Sequence, residues 1–126
     1  MENNIRILLI EDNPGDAFLI EEYLDEFANF SYELVIAETL NEALSVLKKQ
    51  PIDIILSDLS LPDSDGINTL FSIHNENPLI PIIILTELDD EAIGAYAVEK
   101  GAHDFLVKGQ TEGRLLECIH TMFHLK

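Results

Sequence analysis

The stretch Ile5-Arg6-Ile7-Leu8-Leu9-Ile10-Glu11-Asp12-Asn13-Pro14-Gly15-Asp16 decides the fold. Around Leu8 it is continuously apolar rather than alternating. A strand with that pattern must be covered on both faces, which is the habit of parallel sheets flanked by helices. Two acids end the run. Asn13-Pro14-Gly15-Asp16 then supplies an N-cap, a proline at the first helical position and an acid in the first turn. The segment therefore reads as strand, acidic turn, helix.

The same unit recurs along the chain. Further apolar runs lie at 32–37, 52–56, 80–85 and 105–107, and those around Ile55 and Ile83 are again continuous. Winding the residues after Pro14 at about 100° apiece puts Ala17, Ile20, Tyr23, Leu24, Phe27 and Ala28 on one stripe. Thr39-Leu40-Asn41-Glu42 has capping-box spacing, with Ala43, Leu44 and Leu47 as core candidates behind it. A third helix is predicted over 65–74. A fourth is predicted over 89–100, with Gly101 as the residue just past its end. A fifth starts near Thr111 and places Leu115, Leu116, Ile119, Met122 and Phe123 on one arc. Strand and helix alternate five times, a (βα)5 order. Right-handed crossovers turn that order into a doubly wound, three-layer α/β sandwich with a five-stranded parallel sheet.

Composition narrows the class. A chain of 126 residues, 47% of them hydrophobic, fits a single domain over 1–126 with its core over about 5–123 and no output domain. With 24 acidic against 7 basic residues the net charge is −17, which repels phosphate backbones and anionic lipid. Direct nucleic-acid or membrane partners are not expected. One cysteine, Cys118, and no CxxC spacing point to a reducing compartment. Met1-Glu2-Asn3-Asn4 lacks the basic and apolar regions of a signal peptide, and no apolar run nears the roughly 18 residues of a membrane span. The expected location is the cytoplasm.

In doubly wound sheets, binding sites form beyond the carboxyl ends of the strands, where the strand order reverses. Glu11 and Asp12 end the first run, Asp58 follows the third, Thr86 the fourth and Lys108 the fifth. Three carboxylates on one rim resist ionising together, and a hard, oxygen-liganded divalent cation resolves the conflict. Mg²⁺ suits the set, with Mn²⁺ as a replacement. A phosphoryl oxygen can join such a cation as a further ligand, with Lys108 and the Thr86 hydroxyl on the remaining oxygens.

Four stretches together resemble the receiver domain of two-component response regulators, of the stand-alone chemotaxis type, a flavodoxin-like fold. They are Ile7-Leu8-Leu9-Ile10-Glu11-Asp12-Asn13, Asp58-Leu59-Ser60-Leu61-Pro62-Asp63-Ser64-Asp65-Gly66, Ile83-Ile84-Leu85-Thr86 and Gly101-Ala102-His103-Asp104-Phe105-Leu106-Val107-Lys108. The resemblance implies a phosphorylation-dependent signalling switch. Asp58 is then the phosphoacceptor, taking a phosphoryl group from a histidine kinase or histidine phosphotransfer protein. Glu11, Asp12, Asp58 and the backbone carbonyl of Ser60 are the implied metal ligands. Thr86 is the switch hydroxyl, Phe105 the aromatic that turns inward with it, and Lys108 the partner first of Asp58 and then of the phosphoryl oxygen. Such a domain catalyses only its own phosphorylation and dephosphorylation and is not a turnover enzyme. Phe18 and Leu19, off the buried stripe beside Asp12, are candidates for donor docking. The face formed by the fourth helix, fifth strand and fifth helix, including Tyr96 and Phe105, is the one receivers commonly use for a downstream effector protein or a homodimer.

Several positions depart from that pattern. Gly109 stands where relatives carry a cis proline, and a trans bond with an altered, more mobile loop over 109–112 is expected. Glu87 stands where a small residue is usual; it reads either as an acid at the phosphoryl entrance or as a solvent-pointing loop residue. Gly94 inside the fourth helix reads either as a malleable point or as a neutral surface glycine. His120 and His124 have metal-binding spacing but no third ligand, and read as a solvated face near a helix end. Cys118 has no accompanying base. Two rival functions remain: a pseudo-receiver kept for protein binding, which has no need of all five rim residues, and a Mg²⁺-dependent phosphohydrolase. The latter lacks an aspartate two residues beyond Asp58 to act as acid–base.

Overall fold

The computed structural model describes residues 4–109 and 113–123. Strand β1 (Asn4–Ile10) leads through an acidic turn into α1 (Pro14–Phe27), followed by β2 (Ser31–Ala37), α2 (Leu40–Lys49) and β3 (Ile54–Asp58). Then come α3 (Ile67–Glu76), β4 (Ile82–Thr86), a 3-10 turn (Leu88–Asp90), α4 (Glu91–Glu99), β5 (Asp104–Val107) and α5 (Arg114–Phe123). The five strands form one parallel sheet in the order β2-β1-β3-β4-β5. The chain leaves β1 toward one edge and returns on the other side at β3. The order reverses between these two strands, and the crevice there opens at their carboxyl ends.

The continuous apolar runs are the three central strands. Alternate side chains of β1, β3 and β4 go to opposite faces of the sheet. Leu8, Ile10, Ile55, Ile82 and Ile84 pack with Ala43 of α2, Leu70 and Ile73 of α3 and Ala97 of α4. Ile7, Leu9, Ile54, Leu56, Ile83 and Leu85 pack with Ala17, Ile20 and Leu24 of α1 and Leu115 and Ile119 of α5. Two cores, one on each face, make the three layers.

The caps read from the sequence form. Asn13 Oδ1 accepts hydrogen bonds from the Gly15 and Asp16 amides at 2.8 and 3.1 Å, opening α1. Thr39 Oγ1 accepts from the Glu42 amide at 3.0 Å, while Glu42 Oε1 accepts from the amide of Glu38. A second cap on α2 comes from afar. Both carboxylate oxygens of Asp63 accept from the Leu40 and Asn41 amides, which tethers the loop after β3 to the start of α2. These bonds hold the Asp63 carboxyl below its usual range.

Boundaries shift from the sequence reading in instructive ways. Strands β3 and β4 begin two residues after the start of their apolar runs and end, as expected, in Asp58 and Thr86. Helix α3 starts at Ile67 because Gly66, at φ 63° and ψ −149°, stands outside helical space. The fourth helical segment opens with a separate 3-10 turn before α4. The expected start of the fifth helix at Thr111 lies outside the described residues. On α1 the buried stripe is narrower than predicted: Ala17, Ile20 and Leu24 are buried, Tyr23 is partly so, and Phe27 is 56% exposed. Phe27 sits at the margin of the stripe in the last turn, with its ring against Tyr23 at 5.3 Å.

Gly94 is neither a surface residue nor a malleable point without a neighbour. It is buried against β5, and a Cβ there would lie 2.4 Å from Cδ2 and 2.6 Å from Cγ of Phe105. The absence of a side chain gives the Phe105 ring its seat on α4. Gly94→Ala should therefore destabilise the domain by about 1–3 kcal/mol through overpacking, measured by urea unfolding. In a Phe105→Ala background the same change should be stabilising by up to about 1 kcal/mol, because only helix propensity remains. Equal destabilisation in both backgrounds would contradict the packing account.

Candidate functional site

Each candidate residue reaches the rim from the end of a strand. Strand β1 delivers Glu11 and Asp12, β3 ends in Asp58, β4 ends in Thr86, and Lys108 follows β5. The Lys108 amide donates to the Thr86 carbonyl at 2.7 Å, fixing the end of the edge strand against β4. Ligand atoms of Glu11, Asp12 and Asp58 all lie within 4.8 Å of one another, the one group of metal-ligating side chains among the described residues. Their burial is graded: Glu11 buried, Asp58 intermediate, Asp12 exposed.

Lys108 holds this acid together. Its ammonium lies 2.7 Å from Glu11 Oε1, 2.8 Å from Asp58 Oδ2, 3.0 Å from Asp16 Oδ2 and 3.4 Å from Glu87 Oε2. Burial alone would pull the ammonium down. The carboxylates of Asp58, Glu11 and Asp16 more than reverse this and hold it above the ordinary lysine value. The lysine is therefore a permanent cation facing four acids. Asp58 is oriented from the other side, where its Oδ1 accepts from the Ser60 amide at 3.1 Å.

Glu11 is the strained member electrostatically. Burial pushes its carboxyl above the ordinary glutamate value, although Lys108 and the Asn13 amide act in the opposite direction. Its Oε1 takes charge from the nearby ammonium but no well-directed hydrogen bond. Among the described residues it is the one buried side-chain polar atom left in that condition. A buried carboxylate oxygen with unused lone pairs, beside two more carboxylates, fits a hard divalent cation.

Thr86 is 4% exposed and lines a cavity with Asp58, Ser60, Asp65, Gly66 and Glu87. Its hydroxyl makes only a long contact, 3.5 Å, to the Leu106 carbonyl, so it can be recruited to a stronger acceptor in that cavity. Phe105 does not join the cluster. It is partly buried against α4 at Gly94. Phe18 and Leu19 are 57% and 65% exposed on α1, and Leu19 lines a second cavity with Asp16, Ile20, Tyr23 and Lys108. Tyr96 is exposed on α4 with the Lys100 ammonium 5.5 Å from its ring.

The departures resolve as well. The described peptide bonds are all trans, and Gly109 has φ +84°, a conformation that proline cannot adopt and that other side chains resist. The rest of the 109–112 loop lies outside the described residues. Glu87 is not simply a solvent-pointing acid, since it reaches back toward Lys108. His120 pairs with Asn29 and packs edge-on to Phe30; His124, its expected neighbour, lies outside the described residues. Burial first, and then the Asp104 carboxylate, push the Cys118 thiol up, away from nucleophile chemistry. Asp16 was legible only as an early acid of α1. Its position one helical turn beyond Asp12 was the available signal.

Comparison with known proteins agrees with this geometry. The family described as the response regulator receiver domain matches residues 7–120, and the chain belongs to it. It is a signalling domain of two-component systems, and its class implies phosphorylation-dependent signalling with histidine kinases and effectors as interaction partners. The chain is 30% identical to the transcriptional regulatory protein ZraR of Escherichia coli, over 84% of this chain and 23% of that protein. It is 29% identical to the response regulator protein PilR of Pseudomonas aeruginosa, over 96% of this chain and 26% of that protein. It thus spans about a quarter of the length of these relatives. Among solved structures, the receiver domain of the Francisella response regulator 1452 is similar at TM-score 0.81 and 25% identity, covering 96% of this chain and 98% of that one. The receiver domain of the sensor histidine kinase PA1611 from Pseudomonas aeruginosa, solved with a magnesium ion in its active-site cleft, matches at TM-score 0.78 and 26% identity over 94% and 97% of the two chains. No helix of the described residues is long and apolar enough to cross a membrane.

An acid whose value is raised on folding takes up a proton that the unfolded chain releases. Its contribution to stability is complete below the ordinary glutamate value of 4.5 and is lost as pH rises through the raised one. Glutamine at this position escapes that loss. In buffer free of divalent cations, Glu11→Gln should raise the Tm above wild type at about pH 7, and the gap should close toward about pH 4. A gap that widens on acidification would contradict the burial account. Addition of a divalent cation should stabilise wild type more than the variant.

Proposed function

We propose that this domain is a phosphorylation switch in which Asp58 accepts a phosphoryl group from a phosphohistidine on a histidine kinase or a phosphotransfer protein. The observation that carries the reading is the Lys108 ammonium set between Asp58 and Glu11 at the reversal point of the sheet, with Asp12 completing the acid group. A carboxylate oxygen of Asp58 forms the new bond to phosphorus as the bond from phosphorus to the imidazole nitrogen breaks, and the proton balance closes on the departing imidazole. Water later attacks the acyl phosphate and returns the free carboxylate and inorganic phosphate.

Glu11, Asp12, Asp58 and the backbone carbonyl of Ser60 are the proposed ligands for Mg²⁺, or Mn²⁺ in its place. When bound, the cation supplies positive charge to the oxygens of the transferring group. The protein's own residues orient and neutralise. The Ser60 amide holds one oxygen of Asp58, which leaves the second toward Lys108. Lys108 then neutralises a phosphoryl oxygen, and the Thr86 hydroxyl can exchange its long contact with Leu106 for a bond to another.

Rotation of Thr86 toward the phosphoryl group would change the space behind β4, next to the β5 position of Phe105. The proposed readout face is therefore α4, β5 and α5, including Tyr96, where an effector protein or a second copy binds. Phe18 and Leu19, exposed on α1, with Leu19 lining the cavity at Lys108 and Phe18 a neighbouring one at Glu11, are proposed to seat the phosphoryl donor. The domain itself, at −17, is not proposed to touch nucleic acid directly, and the cytoplasm is its proposed setting. A phosphohydrolase acting on small esters lacks an acid–base two residues beyond Asp58, where Ser60 stands.

Incubation with Mg²⁺ and acetyl phosphate, followed by intact mass measurement, should show one phosphoryl adduct on wild type and none on Asp58→Asn. Absence of an adduct on wild type, or continuous turnover of many phosphate esters, would overturn this assignment.

A further inference from the structure

Asp16 enters the site from α1, not from the end of a strand. Its Oδ2 is a hydrogen-bond acceptor for Lys108 Nζ at 3.0 Å, across 92 residues of sequence. The N-cap of Asn13 fixes the helical turn that carries it, because Asn13 Oδ1 binds the Asp16 amide. Three carboxylates thus press on one ammonium, which donates hydrogen bonds to Asp16 and Asp58 and meets Glu11 as an ion pair. Glu11 and Asp58 have other work in the phosphorylation reading above, as cation ligand and as acceptor. Asp16 has none, and it lies on the far side of Lys108 from the cavity over Asp58. It lines the neighbouring cavity with Leu19, Ile20 and Tyr23.

We propose that Asp16 is a positioning residue for Lys108, a standing counter-ion that draws the ammonium toward α1 and competes with the phosphoryl oxygen for it. The inference rests on Asp58 being the acceptor. A phosphoryl oxygen arriving on Asp58 must draw the ammonium away from one of these carboxylates. Asp16 is the one most able to yield: its contact is longer than those of Glu11 and Asp58, and its side chain is 35% exposed against 1% and 18%. Glu87, at 3.4 Å and 60% exposed, holds the ammonium more loosely still and from the side of the Asp58 cavity. Asp16 thereby keeps Lys108 in place while Asp58 is free and slows its commitment to the phosphoryl group.

The test follows adduct formation from acetyl phosphate and Mg²⁺ by intact mass for wild type, Asp16→Asn and Glu22→Gln. The last removes one charge from an exposed position of the same helix without a contact to Lys108. Asparagine keeps an acceptor oxygen but removes the charge, so Asp16→Asn should form adduct roughly three- to fivefold faster than wild type. Glu22→Gln should match wild type. The gain should persist in high salt, since a contact pair is screened far less than long-range repulsion of an anionic donor. An Asp16→Asn rate equal to or below that of wild type would overturn the proposal. So would a gain shared by Glu22→Gln or abolished by salt. Wild type that forms no adduct at all would instead remove the acceptor assignment of Asp58.

Discussion

One ammonium against four carboxylates is the constraint on which this domain depends. The sheet could close without Lys108, but the carboxylates of its rim would then face one another with no ammonium between them. Glu11 is held inside the protein by β1, Asp58 is half enclosed at the end of β3, and Asp16 and Glu87 lean in from α1 and from the turn after β4. Without a cation between them such groups raise one another's proton affinity, and the buried one suffers most. Lys108 is fully charged in this setting, yet Glu11 still lies above its ordinary range. The site thus carries more negative charge than its one ammonium offsets.

The fold was legible because its physics is local and periodic. Continuous apolar runs at β1, β3 and β4 required two covered faces, and the caps at Asn13 and Thr39 started helices where their side chains could bind amides. The rim acids were legible because each sits at the end of a run. What stayed hidden depends on contacts across the chain. Asp16 and Lys108 meet over 92 positions, Asp63 caps a helix 22 residues away, and Gly94 is explained only by the ring of Phe105. Phe27 was misread for a related reason: periodicity gives the direction of a face but not how wide a strip the sheet covers.

Glycine stands at two positions near β5 for opposite reasons. At Gly94 a side chain has no room, since the aromatic of β5 occupies the space. At Gly109 there is room, but the backbone is turned to φ +84°, which excludes proline and penalises everything else. Gly94 faces β5 from α4, and Gly109 follows the end of that strand. One fixes the ring that faces α4, and the other releases the chain after the lysine.

The shortness of β5 has a kinetic side. A four-residue strand at a sheet edge, paired on one side only, is the element most prone to peel away in native-state fluctuations. Here each such excursion would carry Lys108 off the rim and leave the carboxylates facing one another. Their mutual repulsion therefore works as a latch, making the frayed state costlier than its few backbone bonds imply. A domain with a large excess of negative charge has in this way made its weakest edge the one that its own acids hold shut.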